Sequence, residues 1–163
     1  MLDPTLNLDT ALFVDPLLLP QSRHQEISTD ANAAYEAHFV RVIRLLAASK
    51  TVGDVPWRSA MRQLSFPEIK GICLGYGSQS VSGSGSGSDM LDRVIKTAKE
   101  IVDLGVSDPD LFVAMALFED GFGPDRISDM TCNIIFKDLL SFNKRMLTEL
   151  PVPVQPTAIR LSR

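Results

Sequence analysis

The spacing of apolar residues predicts helices along most of the chain. Between about residues 30 and 49 the apolar side chains recur at intervals of three and four, which places them on one face of an α-helix: Tyr35, Phe39, Val42, Ile43 and Leu46. The same periodicity, with capping residues or glycine at the ends, predicts four further helices: from Asp54 to just before Pro67, from Ser88 or Asp89 to Gly105, from Ser107 to Phe118, and from Pro124 to about Thr148.

The first 27 residues follow a different pattern. Their apolar runs are interrupted by Asp15-Pro16 and closed by Pro20. Proline restricts the residue before it away from the helical region. We therefore expect residues 1–27 to form an extended arm that docks its leucines on the body of the domain.

One segment favours a β-strand. Ile72, Cys73 and Leu74 form a compact apolar run between Pro67 and a glycine cluster, which predicts a strand within Ile69–Tyr76. A strand needs a partner, and the sequence leaves the partner open. The segment pairs with the N-terminal arm, or it is extended and buried without a partner, or its partner strands lie in a part of the protein outside this sequence.

Together these patterns predict a mainly α-helical single domain of about five helices, with at most one short strand pair. The helical domain is expected over residues 28–149, with a flexible Ser/Gly-rich loop at residues 77–88. The proline-rich residues 150–163 are expected to form a linker-like tail that cannot be helical. Because such tails often lead into another domain, we expect the chain to be part of a longer protein.

The amino-acid composition limits the classes of partner and the cellular compartment that we expect. Sixteen Lys and Arg against 20 Asp and Glu give a net charge of −4, which weighs against nucleic-acid binding driven by charge alone. No apolar run approaches the ~20 residues that a bilayer requires, so we expect no membrane contact and a cytoplasmic protein. Cys73 and Cys132 have apolar neighbours and no metal-ligand spacing, which predicts two buried, reduced thiols.

The densest polar chemistry lies at residues 119–130, the acidic turn, which reads Glu-Asp-Gly-Phe-Gly-Pro-Asp-Arg-Ile-Ser-Asp-Met. Pro124 suits the first turn of a helix, and Asp125 complements the helix dipole there. One hypothesis is a Mg²⁺ site, because hard cations take carboxylate oxygens and leave room for substrate phosphates. Its metal ligands would be Asp120, Asp125 and Asp129, with Arg126 holding a phosphate or carboxylate and Lys137 neutralising developing charge.

The alternative interpretation of the acidic turn is a solvated surface. Polar residues form one row at four-residue spacing along the predicted helix: Asp125, Asp129, Asn133 and Lys137. On this interpretation the row faces water, and Arg126 pairs with Glu119 or Asp120 across the turn.

The Ser/Gly-rich loop offers a second candidate site. Small residues between a strand and a helix allow backbone N–H groups to approach a phosphate, and the candidates are Gly83, Gly85, Gly87 and Ser88. However, no Gly-Lys-Ser/Thr follows, and Asp89 at the helix start would repel a phosphate. A mobile surface loop and an engineered linker are the alternatives.

Two stretches carry a resemblance to a known family. The residues from Asp120 to Thr131, together with Leu74-Gly75-Tyr76 leading into the Ser/Gly-rich loop, resemble an uncharacterised bacterial protein family over roughly residues 12–148. The resemblance implies a bacterial origin, further sequence after this region and an association with mobile elements and antiphage defence. It implies no chemistry for any residue.

Two functions follow as hypotheses. The first is a non-catalytic helical binding or regulatory module of a larger bacterial protein, which contacts a protein partner or a missing C-terminal domain through the acidic turn and the Ser/Gly-rich loop. It predicts an exposed apolar patch beside the loop. The second is a Mg²⁺-dependent, nuclease-like phosphodiester-cleaving domain or a nucleotide-binding domain that uses the carboxylates and Arg126 of the acidic turn.

Overall fold

The fold is mainly α-helical. The structure is a computed structural model that describes residues 10–66, 69, 72, 74–75 and 86–150, with the backbone alone at residues 86–88. Within these residues the α-helices are α1 (Asn32–Ala48), α2 (Val55–Leu64), α3 (Ser86–Asp103), α4 (Leu111–Ala114), α5 (Pro124–Ile134) and α6 (Phe136–Glu149). The predicted mainly α, single-domain class is confirmed.

Helix α1 lies at the centre of the core. Its apolar face is buried against α2 and α3, and Phe39 stacks on Phe112 at the start of α4 with ring centroids 4.5 Å apart. Tyr35, one turn earlier, packs edge-on against Phe39. Among the residues described, no helix combines the length and apolar character that would let it cross a membrane.

Two predicted helices are shorter than expected. The predicted helix over 107–118 is a single α-turn, α4, continued by a 3₁₀-helix at Met115–Leu117. The predicted helix over 124–148 is divided at Ile135, whose backbone leaves the helical region at φ −91° and ψ 12°. The Thr131 hydroxyl donates 2.7 Å back to the Ile127 carbonyl, a bond that weakens and bends helices.

The described part of the N-terminal arm is not extended throughout, which corrects that expectation. Residues Pro16–Gln21 form a 3₁₀-helix and Glu26–Ala31 form a π-helix that runs directly into α1. Asp15 caps the start of the 3₁₀-helix, since its carboxylate accepts a 3.0 Å hydrogen bond from the Leu17 N–H. Pro16 supports this start because the first turn needs no N–H from it.

The arm supplies the partner of the predicted strand segment. Thr10 and Leu74 form an isolated parallel β-bridge, and the Gly75 N–H donates 2.9 Å to the Thr10 carbonyl. Of the three alternatives for the Ile69–Tyr76 segment, the described residues therefore favour pairing with the N-terminal arm, through one bridge rather than a sheet.

Helix α6 packs on the π-helix through a charged cluster. Arg145 donates to both carboxylate oxygens of Glu26, at 2.5 and 3.2 Å, and lies 3.0 Å from Nδ1 of His24. Its guanidinium lies 5.7 Å from the ring centroid of Phe142. The arginine holds the pKa of the Glu26 carboxyl below its usual value. This cluster fixes which face of α6 meets the body of the domain.

Candidate protein-binding site at the acidic turn

The acidic turn connects the 3₁₀-helix after α4 to the start of α5. Phe112 and Met115 are fully buried and anchor the turn to the core. The backbone then reverses through bonds from the Glu119 N–H to the Met115 carbonyl, 2.9 Å, and from the Phe122 N–H to the Glu119 carbonyl, 3.1 Å. Phe122 is itself buried. Both ends of the turn are therefore fixed to the body of the protein.

Helix α3 holds the first acid of the turn. Arg93 Nε lies 3.4 Å from Oε2 of Glu119, and the Thr97 hydroxyl bonds the other carboxylate oxygen. Arg93 also reaches the Asp120 carbonyl at 3.4 Å. The expected partner of Glu119 or Asp120 was Arg126, so the residue assignment of that pairing was wrong. Arg126 is exposed, and Arg93 is far from the turn in sequence, so local spacing gave no sign of it.

Asp125 lies at a junction between α5, the N-terminal arm and the segment that leads into the Ser/Gly-rich loop. Its carboxylate packs against Gly75, whose N–H is bonded to Thr10. One turn along α5, the buried hydroxyl of Ser128 accepts a 2.9 Å hydrogen bond from the Val14 N–H. The start of α5 thus joins two segments that are distant in sequence.

The structure disperses the other residues of the predicted metal site. Asp120, Arg126 and Asp129 are exposed. Within the described part of the chain, no group of three or more His, Cys, Asp or Glu side chains could hold a metal ion. The expected carboxylate set therefore forms no metal-binding group by itself, because Asp125 turns toward Gly75 while Asp120 and Asp129 face outward. The break at Ile135 also places exposed Lys137 on a separate helix, α6. The row of polar residues predicted from Asp125 to Lys137 therefore ends within α5.

The phosphate-loop candidates fall partly outside the described residues. Gly83 and Gly85 lie outside them, whereas Gly87 and Ser88 belong to the first turn of α3, which begins at Ser86. Helix α3 therefore starts two residues before the earliest cap that the sequence indicated. Phosphate binding by these glycines stays a prediction.

The thiol beside the turn is buried, as predicted for Cys132. Burial and, to a smaller extent, the nearby Asp129 carboxylate raise its pKa to about 11. A thiol with such a pKa is protonated at neutral pH and is a poor nucleophile. Cys73 lies outside the described residues.

Sequence reasoning missed the most exposed apolar pair of the region. Leu117 is 82% exposed and Phe118 is 60% exposed, directly before Glu119. The apolar periodicity predicts a helix that includes Phe118. Leu117 lies opposite the face of Leu111 and Met115, whereas Phe118 would share that face in a continuous α-helix and is exposed where the chain changes to a 3₁₀-helix at Met115–Leu117.

Comparison with known families matches residues 1–162 to a family described as a domain of unknown function, DUF8370. The chain belongs to this family. No curated protein and no solved structure matches it. Membership agrees with the expected resemblance to an uncharacterised family and brings no activity, substrate or partner with it.

The site of this DUF8370 member can therefore be characterised only by its own side chains. Directly before the acidic turn it presents two large exposed apolar side chains, Leu117 and Phe118, and within the turn an outward carboxylate at Asp120.

Proposed function

We propose that this domain is a non-catalytic protein-binding module that contacts its partner through the acidic turn. The observation that carries the proposal is the exposure of Leu117 and Phe118, at 82% and 60%. Single exposed apolar side chains are ordinary, but two adjacent large ones at the end of the 3₁₀-helix, directly before the acidic turn, supply contiguous apolar surface of the kind that protein contacts use.

The turn is well suited to binding because it is held in place before the partner arrives. Buried Met115 lies two residues before Leu117, and Arg93 and Thr97 hold Glu119 one residue after Phe118. Association therefore orders few additional groups, which lowers its entropic cost. Asp120, two residues beyond Phe118, is exposed. The partner chemistry that fits is an apolar pocket with a basic group at its rim.

The Ser/Gly-rich loop belongs to the same proposal. Gly75, which packs against Asp125 of the acidic turn, lies two residues before the loop begins at residue 77. This contact supports a proposal in which the turn and the segment at Gly75 that leads to the loop contribute to one binding surface. We also propose a bacterial partner, on the basis of the resemblance to bacterial proteins associated with mobile elements and antiphage defence.

The Mg²⁺-dependent nuclease-like or nucleotide-binding alternative is less favoured. Two carboxylates of the expected set face outward and the third packs against Gly75, so within the described residues no metal-binding group forms. A metal-assisted reaction would need ligands from elsewhere.

Site-specific photo-crosslinking in bacterial cells tests the binding proposal. A photoreactive residue replaces Leu117 in one version of the chain and Leu104, an 85% exposed leucine on another turn, in the control. We expect a crosslinked protein from position 117 that is absent from position 104. Phe118→Asp and Asp120→Arg, each combined with the label at 117, should remove it. The same product from both positions, or a product that survives Phe118→Asp, would overturn the proposal.

A further inference from the structure

Helix α6 exposes an apolar stripe that the proposed function does not use. Leu140 and Leu147 are each 40% exposed, Asn143 between them is exposed, and Leu150 just after the helix is 49% exposed. We call these four residues the α6 stripe. Their positions are separated by three, four and three residues, the spacing at which one helix presents a continuous seam to another.

The docking of α6 on the body explains why the stripe faces outward. Arg145 donates hydrogen bonds to both carboxylate oxygens of Glu26 in the π-helix, and the ring centroids of Phe142 and His24 lie 4.8 Å apart. Leu139 packs on the core cluster. Arg145 and Phe142 lie on the side of the helix that faces the body, Leu139 lies between that side and the stripe, and within the described chain none of the α6 residues is fully buried. The helix is thus covered on one side only.

The charges beside the stripe have one sign. Lys137 and Lys144, seven residues apart, follow one edge of the stripe and are exposed. Of the acids of α6, Glu149 pairs with Arg145 at 2.8 Å, and Asp138 has its pKa raised by burial and by the charge of Asp30 in the π-helix, which outweigh the opposite effect of Lys137. A chain with a net charge of −4 therefore has a locally positive border here.

We propose that the α6 stripe binds one amphipathic helix of a partner protein, whose apolar seam is bordered by acidic residues along the edge that meets Lys137 and Lys144. Edge charges select partner and orientation in helix pairs, and a polar residue within the seam, here Asn143, fixes the register. This surface differs from the acidic turn in the charge it prefers, so it recognises a different partner or a different part of the same partner.

A second copy of this chain fits the stripe less well. In an antiparallel pair of α6 helices the two lysine edges would face each other, and like charges in that position oppose pairing. In a parallel pair each lysine edge would meet Leu139 and Met146, which are both half-buried, and Leu139 packs against the core. The lysine edge therefore favours a partner of opposite charge over self-association.

The probes for this proposal are two designed helical peptides that carry the same leucine seam. One has glutamates along the edge and the other has lysines, and each carries a fluorophore for anisotropy titration against the whole chain. We expect the glutamate peptide to bind at least about tenfold more tightly than the lysine peptide. Lys137→Glu/Lys144→Glu should reverse the preference, and Leu147→Asp should weaken both peptides by about tenfold or more.

Lys50→Glu/Lys96→Glu is the matched control, since it changes net charge equally at two exposed lysines outside α6. It should leave the preference for the glutamate peptide unchanged. Circular dichroism checks the fold of each variant, and Leu140→Gln replaces Leu147→Asp if the latter loses helical signal. The proposal is overturned if the peptides bind equally, if neither binds, or if the folded stripe variants bind as wild type does. It is also overturned if wild type is a dimer that Leu147→Asp separates, because the stripe would then bind a second copy.

Discussion

The carboxylate of Asp125 occupies the space that a side chain at position 75 would need. A Cβ atom added to Gly75 would overlap Oδ1 of Asp125, and Gly75 has a φ of +128°, which side-chain-bearing residues rarely adopt. This contact joins the acidic turn to the segment before the Ser/Gly-rich loop. A substitution at position 75 therefore tests whether this junction stabilises the protein.

Gly75→Ala should destabilise the fold by at least about 2 kcal/mol, because the strained φ and the overlap with Asp125 both oppose it. Urea unfolding followed by circular dichroism measures the loss. Gly53→Ala is the control, since Gly53 has a φ of +84° with no atom within 4 Å of an added Cβ, and should cost about 1 kcal/mol. In an Asp125→Ala background the cost at position 75 should fall toward that of the control. Equal costs at positions 75 and 53 in the native background would contradict the contact.

The Tyr35 hydroxyl leads to an unusual expectation. It is buried and has no hydrogen-bond partner within the described residues, and burial raises its pKa above the usual value. Removing an unsatisfied buried polar group relieves a desolvation penalty. Tyr35→Phe should therefore leave the melting temperature unchanged or raise it.

Ser128→Ala is the matched hydroxyl deletion. Ser128 is also buried, but its hydroxyl accepts the hydrogen bond from the Val14 N–H, so its loss should cost about 1 kcal/mol. If Tyr35→Phe proves as destabilising as Ser128→Ala, the tyrosine hydroxyl has a partner after all.

His38 should make the fold less stable in mild acid. Burial lowers its pKa, and its Nε2 lies 3.1 Å from the Gln63 carbonyl, to which it can donate while the ring is neutral. The folded state disfavours protonation of His38. The full free energy of unfolding is therefore present at pH values above the unfolded pKa of about 6.5. It falls by at most about 1.4 kcal/mol per pH unit between 6.5 and the lowered pKa.

Urea unfolding at a series of pH values from about 8 to 5 measures this slope. His38→Gln keeps a side-chain donor without the titration, so its stability should change less over that range. His24→Gln, at the other histidine, should retain the His38 contribution. A His38→Gln slope equal to that of wild type would show that His38 keeps its ordinary pKa.

Local sequence patterns predicted the helices but not the contacts that position the site. The faces of α1 and α3 followed from periodicity because burial of an apolar face is a local signal. The break at Ile135 follows the bond from the Thr131 hydroxyl to the Ile127 carbonyl, and the 3₁₀-helix at Met115–Leu117 follows a single α-turn; apolar periodicity indicates neither of them. The sequence pattern therefore continued both helices too far.

The acidic turn likewise combines features that the local sequence predicts with contacts that it does not predict. Its position before α5 was predictable from Pro124 and Asp125, which are local features of a helix start. The pairing of Glu119 with Arg93 and the packing of Asp125 against Gly75 depend on residues far away in sequence. The sequence does not reveal those contacts. A cluster of acids in the sequence therefore suggests a metal site although the folded chain separates their side chains.

Metal addition separates the two functional hypotheses directly. A ligand that binds only the folded state stabilises it by about 2.7 kcal/mol at a hundred times its dissociation constant. Since the described residues form no metal-binding group, Mg²⁺ and Mn²⁺ should shift the melting temperatures of wild type and of Asp125→Asn/Asp129→Asn equally, and by no more than NaCl of the same ionic strength. Differential scanning fluorimetry measures these shifts. A rise confined to the wild type would make the acidic turn a metal site, because only bound metal distinguishes the two proteins, and would favour the Mg²⁺-dependent alternative over the binding module.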